Sequence, residues 1–251
     1  MRGYDDRSYG NGFADVYDDW YFDVTDVDAT VSRVLDLVDP GGKVLELGVG
    51  TGRLAVPMTQ AGIRVTGIDS SEAMLDVLAE RDTAHEVETI RGDMVDDLPD
   101  GPFDAVLIAY NTIFNLLEEE TQQRCFAAVA RVLRPGGAFV VEAFVPDSEV
   151  APGSDVTVRS MTVDQVVLSV SEQQPGEQRA SGQFIQFSEA GGVRLRPWSI
   201  RWASPEQLDA MAATAGFTVE TRTGDMMGSD FNDASAQHVT IYRTEPTDGP
   251  G

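Results

Sequence analysis

The sequence predicts an α/β fold: a Rossmann-like, mostly parallel seven-stranded sheet with helices on both faces, plus an inserted antiparallel β lid. Three observations predict it. Short apolar runs alternate with helical patterns between residues 40 and 145, the arrangement of parallel strands joined by crossover helices. A glycine-rich turn directly follows the first of those runs. Between residues 155 and 202 the texture changes to period-two alternation broken by Gly and Pro, as hairpin-linked strands require. With 251 residues and no internal repeat, the chain fits one domain over 1–251, with residues 40–145 forming the core half and 155–202 the inserted lid.

The elements follow in order. Residues 13–22 and 27–38 read as helices. The strand 43–47 leads through the glycine turn into a helix over 51–61; 63–68 is the next strand, and 71–81 a helix that Ser71 can cap. Strands are predicted at 87–90 and 103–109, a helix at 118–133, and a strand at 138–144 entered through the breaker Pro135-Gly136-Gly137. Lid strands are centred on 156–158, 166–170, 184–187 and 193–200, and a helix at 205–215 with strands at 217–221 and 238–242 completes the sheet. Only Gly10-Asn11-Gly12 and the segment 244–251 read as unstructured.

Composition excludes several functions. A formal charge of -24 opposes binding to phosphate backbones and anionic membranes, so neither nucleic acid nor membrane is an expected partner. One cysteine, Cys125, and two histidines, His85 and His238, leave no set of metal ligands, and no metal is expected. No run approaches the ~18 apolar residues of a membrane helix, and no apolar segment follows the N-terminus, so a soluble, cytoplasmic protein is expected.

The most informative segment is Glu46-Leu47-Gly48-Val49-Gly50-Thr51-Gly52-Arg53, a strand end followed by closely spaced glycines and a helix start. Glycines permit a sharp turn and close approach of a ligand to the backbone, and the free amides of the helix start favour negative charge. A dinucleotide fingerprint would place its third glycine at position 53, where the chain has Arg53, so a nucleotide-linked oxidoreductase is the weaker alternative.

This segment resembles the first motif of class I S-adenosylmethionine-dependent methyltransferases, E/D-x-G-x-G-x-G, matched by Glu46, Gly48, Gly50 and Gly52, with Arg53 counted beside them as cofactor-binding. The resemblance implies S-adenosyl-L-methionine as cofactor, bound by residues 40–145. It assigns Asp69, at the end of the second strand, to the ribose hydroxyls, and puts Ser70 and Met74 near the adenosine. Asp93 and Met94 would meet the adenine, and Ala109, Tyr110 and Asn111 the methionine end. The aromatic opening Tyr17-Asp18-Asp19-Trp20-Tyr21 resembles a helix covering the cofactor, with Tyr17 in the pocket. A non-catalytic S-adenosylmethionine-binding protein is the other alternative.

The implied acceptor is a small molecule, methylated on oxygen or nitrogen. An oxygen would need a base, for which Tyr110, Asn111, Glu142 and His238 are the candidates; an amine need only be neutral. The lid resembles, loosely, those of sugar N-methyltransferases of natural-product pathways, where such strands cover the acceptor and form a dimer contact. Arg196 and Trp198, with Arg194 and Arg201 at the same period, are the candidate acceptor-binding residues, although an edge strand also uses charge to discourage aggregation. Because every cofactor motif precedes residue 112, the lid is expected to be dispensable for cofactor binding.

Overall fold

A computed structural model describes residues 1–147 and 149–245. The chain opens with two short helices, α1 (Ser8–Phe13) and α2 (Tyr17–Trp20), followed by α3 (Val27–Leu35). The core then runs β1 (Lys43–Leu47), α4 (Ala55–Gln60), β2 (Arg64–Asp69), α5 (Glu72–Arg81), β3 (Glu88–Arg91), β4 (Phe103–Ile108), α6 (Glu119–Val132) and β5 (Leu133–Phe144). Four long strands follow, β6 (Gly153–Met161), β7 (Gln165–Gln174), β8 (Arg179–Ser188) and β9 (Gly192–Arg201), then α7 (Pro205–Thr214), β10 (Phe217–Thr223) and β11 (Gln237–Thr244).

The first sheet has seven strands in the order β10-β11-β5-β4-β1-β2-β3, with β11 antiparallel to both of its neighbours. Its central strands are apolar on both sides. Leu45, Val106 and Val141 face one core with α6 and α7, while Val44, Leu107 and Val140 face a second with α3 and α4. Burial on both faces is what continuous apolar runs encode. The chain adds β2 and β3 on one side of β1 and then places β4 on the other, so the strand order reverses between β1 and β4. Open α/β sheets bind ligands in the crevice at such a switch point.

Helix starts follow the predicted capping chemistry. Ser71 accepts from the Met74 amide at 3.3 Å, and Ser204 forms a reciprocal box with Gln207 at the start of α7. Each cap contributes about 1 kcal/mol.

Four local expectations are corrected. The single helix over 13–22 is two short helices, broken at residues 14–16. Gly10-Asn11-Gly12 is helical: a side chain at Gly10 would clash with Ser71, whose hydroxyl donates to Asn11 Oδ1 at 2.8 Å. These residues serve close packing of α1 on α5. Pro135-Gly136-Gly137 does not delay the strand but forms an irregularity inside β5, where Leu133 pairs with Phe103 and Ala138 with Ala105. Thr244, placed in the tail, ends β11 and donates to the Arg134 carbonyl at 3.0 Å. The rest of that expected tail, residues 246–251, lies outside the described residues.

The second sheet is antiparallel, in the order β6-β7-β8-β9. Facing pairs such as Phe184 and Arg196 share one surface, and that surface packs on the N-terminal helices: Phe184 lies edge-on to Phe13 at 5.8 Å and to Trp20 at 5.6 Å.

Candidate active site

The glycine turn leaves β1 at the switch point. Gly48, Gly50 and Gly52 all have positive φ, between +55° and +74°. A side chain on Gly48 would meet Thr112 at 2.5 Å, whereas one on Gly50 would meet only the Gly48 carbonyl at 3.9 Å. Gly48 is therefore a packing glycine and Gly50 the one whose backbone lies open to a ligand. Gly52 packs on Leu78 beneath the turn.

A cavity of about 290 Å³ opens beside this turn, near the lower end of the ~300–1,000 Å³ range of small-molecule sites. Its wall includes Gly48, Gly50, Asp69, Ser70, Met74, Asp93, Met94 and Tyr17, so the structure brings together predicted residues from three strand ends and the N-terminal helices. Asp69 Oδ2 accepts from Gly50 N at 2.9 Å and Oδ1 from Ser71 N at 2.8 Å. Burial raises its pKa, against those two amide bonds. Asp93 Oδ1 accepts from the amides of Val95 and Asp96, pinning the turn after β3. The N-terminal segment roofs the cavity with Tyr4, Asp5, Asp6 and Tyr9; the Ser70 hydroxyl donates to the Asp6 carbonyl at 3.0 Å.

A smaller recess continues past the turn, lined by Glu46, Arg53, Ala109 and Tyr110 together with Tyr17. It holds two buried groups that lack partners among the described residues. Arg53 Nε and Nη1 have no acceptor, and Glu46 Oε2 has no donor. Among the described residues Arg53 makes one hydrogen bond, from Nη2 to Thr25 Oγ1 at 3.5 Å. Desolvation pushes Glu46 up to about 8, opposed by the positive charge of Arg53. A buried cation without an acceptor costs several kcal/mol, and a buried carboxyl avoids that cost by keeping its proton.

Tyr110 and Asn111 are both left-handed, with φ of 44° and 64°. Such residues cost about 1–3 kcal/mol each and persist where their surroundings hold them. Here Glu142 Oε2 accepts from the Tyr110 amide at 2.9 Å, and Asn111 Oδ1 accepts from the Phe144 amide at 2.6 Å. Glu142 and Asn111 thus hold the backbone that aims Tyr110. Around it stand Tyr21 at 5.8 Å and, beyond, Tyr17 at 4.9 Å from Tyr21.

Gly52, Asn111 and Glu142 support the lining from behind without facing either cavity, and three further predicted residues are engaged in other contacts. His238 is fully buried beside β10, its Nδ1 2.9 Å from Thr240 Oγ1, and burial pushes its pKa down to about 4 with help from Arg222. Arg196, at 1% exposure, pairs with Asp15 and Gln186. Trp198 packs against Gly182 between two apolar clusters. Sequence reasoning missed Tyr9, half-buried in the roof of the cavity, and Arg159, whose guanidinium lies 4.8 Å from the Trp20 ring and 5.3 Å from that of Tyr21. The isolated tyrosine and the arginine of a period-two strand carried no local motif.

A methyltransferase-domain family model matches residues 44–137, which contain the glycine turn, Asp69, Asp93 and Tyr110. The CcbJ methyltransferase of Streptomyces caelestis is 37% identical, with a TM-score of 0.88 over 96% of this chain and 100% of that one. The chain belongs to the class I S-adenosylmethionine-dependent methyltransferases. The methyltransferase is also 29% identical over 212 residues to the cypemycin N-terminal methyltransferase of a Streptomyces species, covering 82% of this chain and 84% of that protein. A sugar N-methyltransferase from Streptoalloteichus sp ATCC 53650 shares the fold of this methyltransferase, with a TM-score of 0.68 at 23% identity, over 98% of this chain and 99% of that one.

Proposed function

We propose that the chain moves a methyl group from S-adenosylmethionine to an amine nitrogen of a small-molecule acceptor of natural-product type. The unpartnered pair Arg53 and Glu46 carries the donor half of this reading. The amino-acid end of S-adenosylmethionine bears one carboxylate and one ammonium, the two charges that these groups lack. Arg53 would hold the carboxylate through Nε and Nη1, and Glu46 the ammonium through Oε2. At the opposite end, each Asp69 oxygen has one amide donor and keeps a lone pair for a ribose hydroxyl. Met74, Asp93 and Met94 line the adenine side.

Bound there, the donor supplies a methyl group on a positively charged sulfur, ready for in-line displacement. The protein's work is to align the acceptor and keep water out. The rings of Tyr17, Tyr21 and Tyr110 present negative faces to a positive centre. The Glu142 carboxylate keeps Tyr110 in its left-handed conformation and so fixes that ring.

The same geometry favours nitrogen over oxygen. An oxygen acceptor needs a base, yet burial pushes the Tyr110 hydroxyl up to about 12, Glu142 lies behind the Tyr110 backbone and lines neither cavity, and His238 lies elsewhere. A neutral amine brings its own lone pair and needs only to release a proton to water after transfer. The cypemycin relative, named for N-terminal methylation, supports the same class of acceptor.

The test is mass spectrometry of amine and hydroxyl acceptor libraries incubated with S-adenosylmethionine, with S-adenosylhomocysteine measured in parallel. Amines should gain one methyl. Methylation confined to hydroxyl compounds would overturn the nitrogen assignment, and donor binding without any product would mark a non-catalytic binding protein.

A further inference from the structure

Arg159 stands where β6 slips its register with β7. Val158 pairs with Leu168 and Ser160 with Val167, so Arg159 is an extra residue with no partner across the ladder. Such bulges bend a strand and re-aim a side chain, and they are over-represented beside active sites. Here the side chain is aimed at the N-terminal helices. Its guanidinium lies against three rings, 4.8 Å from Trp20, 5.0 Å from Phe184 and 5.3 Å from Tyr21, and Nη2 donates to the Trp20 carbonyl at 3.1 Å. A planar fork held in this way has little freedom left to lose when it binds an anion.

The charge has no counterpart. Arg194 and Arg196 of β9 both reach Asp15, whereas Arg159 pairs with no carboxylate among the described residues, and its Nε and Nη1 make no hydrogen bond there. The residue is exposed, so those donors are open to an incoming ligand. Tyr21 is the wall between this cation and the candidate site: its ring lies 5.3 Å from the Arg159 guanidinium, 5.8 Å from the Tyr110 ring and 4.9 Å from the Tyr17 ring. The charge also acts across that wall, because burial pushes the Tyr110 hydroxyl up to about 12 and Arg159 opposes the rise. A chain of formal charge -24 repels anions at long range, and a free cation beside the site supplies the local attraction that an anionic acceptor needs.

We infer that Arg159 positions the acceptor by binding a carboxylate that the acceptor carries beside its amine. The guanidinium fork matches the two oxygens of a carboxylate, and a dianionic phosphate would meet stronger repulsion from the acidic chain. The inference rests on the amine-methylation reading and narrows it: the acceptor has an amino-acid-like end, its carboxylate at Arg159 and its nitrogen one ring away, on the Tyr110 side of Tyr21.

Fluorine NMR titration of the full chain saturated with S-adenosylhomocysteine tests it, with 4-fluorobenzoate as the carboxylate probe and 4-fluorobenzamide as its neutral match. Saturation keeps the probe off Arg53. Fluorobenzoate should bind and fluorobenzamide should not. Arg159→Gln should weaken fluorobenzoate ~10-fold or more, and Arg159→Lys, which keeps the charge without the fork, should recover part of that loss. Arg124→Gln, which removes a surface arginine paired with Asp96, should change nothing. Absence of binding to the wild type, equal binding to a cooperatively folded Arg159→Gln chain, or tighter binding of 4-fluorophenyl phosphate overturns the inference. The titration involves no methyl transfer, so the two readings fail separately. An Arg159-dependent site in a chain that methylates no amine sinks the proposed reaction and keeps the anion site. Amino acids methylated no better than their carboxamides sink the role of Arg159 and keep the reaction.

Discussion

Asp15, in the loop between α1 and α2, meets Arg196 of β9 with Oδ1 2.6 Å from Nη1, and the guanidinium also donates to the Gly12 carbonyl. Arg196 is almost completely buried, whereas the Asp15 side chain is 43% exposed. The pair fastens the N-terminal helices, next to the roof of the cavity beside the glycine turn, to the antiparallel sheet. Asp15→Ala leaves the buried guanidinium with only Gln186 and the Gly12 carbonyl as acceptors and should cost about 2 kcal/mol. Arg196→Met keeps the volume and leaves only a half-exposed carboxylate, so its cost should stay near 1 kcal/mol. Urea unfolding should return that order; equal costs would mean that the pair is surface charge. The Arg196 hydrogen bond holds the Asp15 carboxyl below its usual range, so this stabilisation is present at neutral pH and is lost as pH falls through the depressed value.

The same fastening gives a test of the expectation that the sheet is dispensable for donor binding. Both Asp15→Ala and Arg196→Met should raise the Kd for S-adenosylmethionine several-fold by freeing the roof. Calorimetry showing unchanged affinity in folded variants would support the sequence-based expectation instead.

Arg53→Met should act in opposite directions on stability and on binding. The free protein should gain up to about 2 kcal/mol, because an unsatisfied buried cation is removed. Donor affinity should fall by ~10- to 100-fold with the loss of a charge-assisted hydrogen-bond pair. Thermal unfolding with and without donor measures both; a loss of stability in the free protein would show that Arg53 is a structural residue.

Glu46 predicts a proton linked to binding. Its raised pKa, about 8, leaves the free carboxyl largely protonated at pH 7, and an ammonium partner would lower that value. Binding should therefore release close to one proton near pH 7, and affinity should rise with pH up to about 8. Calorimetry in buffers of different ionisation enthalpy counts that proton, and Glu46→Gln should abolish the release. In the absence of donor, the raised value stabilises the fold below the ordinary carboxylate range and is lost as pH rises towards 8.

The sheet and its motifs were legible because strand burial, glycine spacing and helix caps are local signals. Asp69, Glu46 and Arg53 sit within a few residues of those signals, and the turn carries them to one crevice. The lid strands were legible too, since period-two alternation survives any tertiary context. Arg196 was misleading for the same reason: period two places it on a face but does not say what covers that face, and here Asp15 does. His238 shares this limit, as a strand residue whose neighbours come from α7 and β10. Glu142 was recognisable as a carboxylate at a strand end, but its bond to the strained Tyr110 amide depends on a pairing of β4 with β5 that no local pattern records.

The most direct test of the central claim is a calorimetric titration of the chain with S-adenosylmethionine, alongside NAD and the Asp69→Ala variant. The geometry predicts one donor site per chain, displacement by S-adenosylhomocysteine, no response to NAD, and a loss of ~1.5–3 kcal/mol in the variant. Binding of NAD with no response to S-adenosylmethionine, or full affinity in a folded Asp69→Ala chain, would contradict it.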